Sequence, residues 1–286
     1  MFSPSPTHLT LVSQILSYIQ FIFFSASLAL FYPGFLRAVA SNSSWSTLMI
    51  PHGPILSSTP YYGIKDGIYE VNGTFGGTTG LELMTQVLGA PVTIHTWANI
   101  ITLSLILLVG MVLLFQVSHR LPFTQSWISV NSARFRGTTD SGVRGTAWTV
   151  LRVFLSYFLT PITAWTTYQL TGATFFPIYH TVLTAFVIAL LIAAFWWSVT
   201  QSSPRNMGYL ILDSSKRLQT PGNMSKSEDR HAMATFALMF VRGAAIGGLQ
   251  IAGLVQLLIL LACEIASWAF DDSKAGYPGN LHWVPS

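Results

Sequence analysis

Met233 to Phe270 reads MATFALMFVRGAAIGGLQIAGLVQLLILLACEIASWAF, 38 residues with two charged positions, Arg242 and Glu264. One bilayer crossing takes about 20 predominantly apolar residues. The run is long enough for two crossings, and its middle, Gly247-Gly248-Leu249-Gln250, is small and polar. It predicts two helices joined by a tight turn on the far side of a bilayer. A lone charge in hydrocarbon costs between about 3 and about 15 kcal/mol. Arg242 and Glu264 must therefore face helices or water, and the rest of the chain must supply the bundle that shelters them.

The composition agrees. The 286 residues are 51% hydrophobic and 8% charged, against about 25% charged in soluble domains, and the mean hydropathy is +0.52. The net charge of +4 does not point to nucleic acid, because the basic residues sit in loops between apolar runs. The single cysteine, Cys263, excludes a disulfide framework and a cysteine metal cluster.

Taken in order, Leu9 to Phe31 is a first span, with no charge before Arg37. It lacks a basic n-region and is too long for an ordinary signal peptide, so it reads as a membrane helix or an uncleaved anchor. Ser13, Ser17, Gln20 and Ser27 fall near one face, which should meet other helices. Further spans are Trp97–Val117, Leu151–Leu170 and His180–Thr200, and the opening run supplies the fifth and sixth. Pro161 lies inside the third span and frees a backbone carbonyl. Thr160, Thr163 and Thr167 are placed to satisfy it. The fold class is all-α, a polytopic transmembrane helical bundle of about six spans. Its parts are 1–31 (N-terminus and first helix), 32–94 (lumenal or extracellular loop), 95–270 (a bundle of about five helices) and 271–286 (a polar tail). Within the loop, Leu81 to Ala90 suggests a short interfacial helix before Pro91. Were Met233–Phe270 one broken helix, the count would be five spans.

Lys and Arg counts set the orientation. The loop after span two with its flanks, Arg120 to Arg152, holds five, the loop after span four holds five, and the loops after spans one and three hold two and none. The positive-inside rule puts the two basic loops in the cytosol. The loop 32–94 is then outside, where the glycosylation sequons at Asn42 and Asn72 lie. A third sequon, at Asn223, falls on the cytosolic side.

The candidate polar site is Arg242, Gln250, Gln256 and Glu264. Arg242 lies about 15 Å into its span, near mid-membrane, where it could contact a pore, a substrate or a lipid headgroup, or simply snorkel. Counting residues from the turn separates Arg242 and Glu264 by close to 10 Å in depth. This predicts that Gln256, rather than Glu264, meets Arg242, and that Glu264 is hydrated near the cytosolic interface. Gly243 and Gly247 form a small-xxx-small pair that permits close helix contact, and with Gly248 and Pro161 they are the candidate packing or hinge positions. His180 is read as an interfacial histidine with the option of pH sensing. No catalytic motif appears, and paired carboxylates or histidines are missing from the spans, so the chain reads as a non-enzyme without a metal or bound cofactor.

Ser17-Tyr18-Ile19-Gln20-Phe21-Ile22, then Tyr32-Pro33-Gly34-Phe35-Leu36 and Asn42-Ser43-Ser44-Trp45-Ser46, resemble the second helix and following loop of fungal TRP-like, flavin-carrier membrane proteins. Leu151–Leu155 through Tyr168-Gln169-Leu170 resemble that family's helix after the first basic loop. Val241-Arg242-Gly243 through Gly253-Leu254-Val255-Gln256 and Glu264 resemble its arginine-, glycine- and glutamine-bearing pair. The resemblance runs in order over residues 10 to 270. It implies a multi-pass protein of the endoplasmic reticulum or plasma membrane that moves FAD, as substrate rather than cofactor, or cations. It also implies a longer parent protein with a lumenal ML-like domain and about nine helices, of which this chain would be a part or a shortened paralogue. The alternative is a non-transporting membrane subunit or lipid-interacting scaffold. Expected partners are membrane lipids, a second copy or other membrane subunits.

Overall fold

A computed structural model describes residues 7–50, 70–71, 74–75, 80–81, 83–84, 94–120, 143–171, 178–201 and 226–275. These residues are almost entirely helical. The helices are α1 (Thr7–Ala26), α2 (Gly34–Ser41), α3 (Ile94–Arg120), α4 (Val143–Thr171), α5 (Ile178–Gln201), α6 (Lys226–Gly248) and α7 (Gly253–Ala275). A 3-10 turn, Ser44–Thr47, follows α2. Two strands of two residues pair antiparallel, Glu70 opposite Phe75 and Val71 opposite Thr74. Two helical windows are long and apolar enough to cross a membrane, Thr96–Leu114 in α3 and Ile178–Trp196 in α5. The apolar parts of α1, α6 and α7 are shorter.

Helix α4 is the centre of the packing. It touches α1, α3, α5 and α6, and its contact with α6 is the most extensive of any helix pair. The reason lies in residue size. Gly243 and Gly247 of α6 face the backbone of α4, and a Cβ built at Gly247 would lie 1.9 Å from the Ala164 carbonyl oxygen. At Gly243 the same atom would lie 2.7 Å from the Thr160 carbonyl oxygen. Without side chains on that face, the two backbones approach closely enough for weak Cα–H···O contacts. Phe154, Leu155, Leu159, Ile162 and Trp165 of α4 complete the core with Phe23 and Phe24 of α1, Trp97 and Ile100 of α3, and Phe236 and Ile246 of α6.

Pro161 sits inside α4 and is buried. Having no N–H, it cannot bond to the carbonyl four residues back, Tyr157. Gln20 of α1 supplies the missing donor, its Nε2 lying 3.1 Å from the Tyr157 oxygen and 2.9 Å from that of Ser46. The threonines act elsewhere. Thr160 donates to the Met239 carbonyl across the α4–α6 seam, and Thr167 bonds within its own helix. The expectation for the proline carbonyl is thus corrected: a long amide from a neighbouring helix reaches it. Along α1, Gln20 and Ser27 face the bundle while Ser17 faces outward, and the side chain of Ser13 lies outside the described residues.

The segment after α1 is less loop-like than its Ser- and Gly-rich sequence suggests. Helix α2 follows Pro33 at its N-cap, whose fixed φ of −56° suits a helix entry. Arg37 is buried at 3% exposure and turns back onto α1, donating to the carbonyls of Ala26 (3.4 Å) and Leu30 (2.7 Å). A cation there complements both the orphan carbonyls and the negative end of the α1 dipole. Its guanidinium also lies over the Tyr32 ring, 5.5 Å from the centroid. Burial pushes the Tyr32 phenol above its ordinary range, partly offset by the Arg37 charge, and burial lowers Arg37, which nevertheless stays charged. Leu81, Leu83 and Met84, the described part of the expected interfacial helix, are buried against the bundle rather than lying on a surface.

Candidate functional site

Helices α6 and α7 carry the polar residues, joined by the turn at Leu249–Ala252. Counted from the helix ends, Arg242 lies six residues before Gly248 and Glu264 eleven after Gly253, an axial offset of about 7 Å. The offset does not keep them apart. Arg242 Nη2 lies 3.0 Å from Glu264 Oε1 and 3.0 Å from Ser267 Oγ. The reason is the direction of helical side chains, which tilt toward their own N-terminus. Arg242 on α6 therefore leans away from the turn, and Glu264 on the antiparallel α7 leans toward it. The two tilts close the gap that residue counting leaves open, which corrects the expectation that Arg242 and Glu264 do not meet.

Glu264 is the midpoint of the 23-residue α7. Its side chain is 53% exposed and that of Arg242 28%. Around Glu264, the residues Leu257, Leu258, Leu261, Ile265 and Trp268 are exposed hydrophobics. The charge pair is therefore set in the middle of an outward-facing apolar surface. Arg242 Nε is buried and makes no hydrogen bond among the described residues. Cys263, one residue from Glu264, is turned inward and buried.

Gln256 does not meet Arg242, which corrects the second depth expectation. It is fully buried. Its Oε1 accepts from the Ala29 N–H at 2.9 Å, and its Nε2 donates to the carbonyls of Ile246 (2.8 Å) and Ala245 (3.3 Å). Those carbonyls belong to the last turn of α6, where intrahelical donors run out. Gln256 thus ties three elements together: the end of α1, the end of α6 and the start of α7. Gly253 permits this, since a Cβ there would lie 2.1 Å from the Ala29 carbonyl oxygen. Gln250, in the turn, accepts from the Leu81 N–H at 2.9 Å and donates to the Ile246 carbonyl. Gly80 (φ +103°) presses its backbone against that amide, a conformation that disfavours side chains. Gly248 has only Thr167 Cβ nearby, at 3.8 Å.

The predicted polar residues accordingly fall into two groups. Arg242 and Glu264 come together with Ser267 on the outer face. Gln250 and Gln256 join the turn end to the segments after α1 and at Gly80–Leu81. Sequence reasoning passed over Ser267, which lies three residues after Glu264 and so on the same helix face. It also passed over Arg37, a lone arginine soon after an apolar span. His180, the third residue of α5, is buried, and its ring lies edge-on to Trp97 at 5.2 Å. Asn42 is exposed at the C-cap of α2. Asn72 and Asn223 lie outside the described residues. Among the described residues, no group of His, Cys, Asp and Glu is arranged to hold a metal ion. No protein-family profile, no curated protein and no solved structure matches the chain.

Proposed function

We propose that the chain is a multi-pass membrane protein with six spans, α1 and α3 to α7, and that it serves transport across the endoplasmic reticulum or plasma membrane. The observation that carries the reading is the Arg242–Glu264–Ser267 group set within the apolar, outward-facing part of α7. An ionisable pair at that depth has no structural necessity, because an apolar pair of similar volume would hold two helices together as well. The two longest apolar windows are only 22% and 17% buried, so they are not sheltered core helices of a soluble domain. Exposed leucine, isoleucine and phenylalanine on this scale would aggregate in water and are at home in lipid. The basic segments after α3 and after α5 then lie in the cytosol, with Asn42 on the opposite side. The resemblance to fungal TRP-like and flavin-carrier proteins favours a flavin nucleotide or a cation as the transported solute.

The test is flux in proteoliposomes, with FAD and with calcium as separate probes. The wild-type protein moves one of them, and Arg242→Ala lowers that flux at least tenfold while still inserting. A non-transporting subunit or scaffold is the second reading, favoured by the broad apolar face of α7 that stays exposed among the described residues. It predicts no flux for either protein.

A further inference from the structure

We infer that the Arg242–Glu264 pair receives the headgroup of a zwitterionic phospholipid and so lowers the barrier to lipid movement between leaflets. The inference rests on the membrane reading above. It goes beyond that reading on the ligand, taking a dipolar lipid headgroup rather than FAD or a free cation as what these two residues receive.

Three observations lead there. The first is charge pattern. A guanidinium and a carboxylate stand side by side, 3.0 Å apart, and both are partly exposed on the same outer surface. A phosphodiester linked to an ammonium carries the same two charges in complementary order, a few bonds apart. Its phosphate would take Arg242, and its ammonium would take Glu264. A purely anionic solute would meet Glu264 as a repelling neighbour, and a bare cation would meet Arg242. The neutral pair selects a neutral, dipolar headgroup.

The second is donor supply. Arg242 carries five N–H donors in a planar fork suited to two oxygens of a phosphate. Among the described residues its bonds to Glu264 and Ser267 both use Nη2; Nε is buried and out of a ligand's reach, which leaves the two N–H groups of Nη1 for a phosphate oxygen. Glu264 is joined to Arg242 through Oε1, and a carboxylate offers about four acceptor positions.

The third is direction and depth. Glu264 is more than half exposed on the outer side of α7, among Leu257, Leu261, Ile265 and Trp268. A ligand arriving there comes along the outside of the bundle, from the lipid phase. Glu264 lies about 16 Å from the Gly253 end and about 8 Å from Ala269, where the apolar part of α7 ends. Arg242 stands near the middle of the apolar part of α6, Met233–Gly248, where a headgroup meets its highest barrier. A charge pair at that depth divides one apolar passage of about 30 Å into two shorter ones.

The experiment reconstitutes the full chain into phosphatidylcholine vesicles holding a trace of lipid with a dye-labelled headgroup. Dithionite bleaches only the dye in the outer leaflet. The expected result is bleaching well beyond the outer-leaflet share for wild type and a return to that share for Arg242→Leu/Glu264→Leu. This apolar double variant is chosen because it leaves no unpaired charge to unfold the bundle. The charge-swapped variant Arg242→Glu/Glu264→Arg should keep much of the activity, which a merely structural pair does not require. A parallel arm loads vesicles with soluble glycerophosphocholine. Retention of that solute during lipid movement assigns the site to lipid; release at the same rate overturns the inference in favour of an aqueous pathway. Wild-type vesicles that bleach no further than protein-free ones also overturn it. Extraction of the chain from membranes by alkaline carbonate would instead remove the membrane reading beneath it, and that outcome is read before any bleaching assay.

Discussion

The close approach of α4 and α6 predicts the effect of one added methyl group. In Gly247→Ala the new Cβ would lie 1.9 Å from the Ala164 carbonyl oxygen, 2.3 Å from Thr167 Oγ1 and 2.7 Å from the Ala164 carbonyl carbon. The threonine hydroxyl can rotate away, but the backbone atoms cannot. Restoring ordinary contact at about 3.5 Å requires the helices to part by about 1.5 Å. A gap of that order forfeits about half the dispersion energy of each contact along the seam, and overpacking of this kind costs about 3 kcal/mol. The alanine returns about 1 kcal/mol as a better helix former. The net loss is about 2 kcal/mol, or roughly 5 °C in Tm. Intrinsic tryptophan fluorescence during heating in a mild detergent measures it. Gly110→Ala is the control, since a Cβ at Gly110 meets nothing within 4 Å and that variant should melt at or above the wild-type temperature. If Gly247→Ala melts with Gly110→Ala, the helices are not in backbone contact at this point.

Other substitutions test the remaining ties. Gln20→Ala removes the donor to the Tyr157 carbonyl and should cost about 1–3 kcal/mol. Pro161→Ala restores an N–H to that same carbonyl, so the double variant should melt above Gln20→Ala alone, and additive losses would contradict the assignment. Gln256→Leu strands the Ala29 N–H and withdraws the donor to the Ile246 carbonyl. It should destabilise by about 2 kcal/mol or more, whereas Gln256→Glu, which keeps the acceptor for Ala29, should lose less on the same thermal scale; equal losses would show that acceptor to be unimportant. Asn42 is exposed and in a sequon, and the proposed orientation puts it opposite the basic loops, so Asn42→Gln should remove a glycosidase-sensitive band on a gel; an unglycosylated wild type expressed in the secretory pathway would reverse the orientation.

The long helices were legible because hydropathy encodes them; α2, in a Ser- and Gly-rich segment, was not. The α6–α7 pair, with its turn at Leu249–Ala252, falls where the small, polar residues interrupt the apolar run. The glycine spacing likewise announced a face that could approach another helix, although not that α4 would be the partner. Partner choice depends on long-range contacts that periodicity does not contain. Arg37 shows the limit from the other side. Nothing in its polar-looking segment marks it as buried, and only the return of the chain onto the end of α1 shows that it caps that helix.

The two depth expectations failed for one shared reason. Residue counting assigns each side chain the height of its Cα, as though side chains stood perpendicular to the axis. In an antiparallel pair the tilts oppose each other, so residues on the two helices that lean toward a common level can bridge several ångströms of Cα offset. The correct rule for α6 and α7 places the partner of Arg242 deeper than its Cα, away from the turn, and Glu264 and Ser267 both satisfy it. Gln256 lies nearer the turn and leans further toward it, which carries its amide to the open carbonyls of the α6 terminus. The same tilt thus separates the four polar residues into an outer charged pair and an inner amide tie. That separation gives them different work. The amides have their hydrogen-bonding capacity taken up in holding the helix ends, while the pair keeps exposed charge at mid-helix. Substituting the amides should therefore move stability first, and substituting the pair should move the proposed transport first.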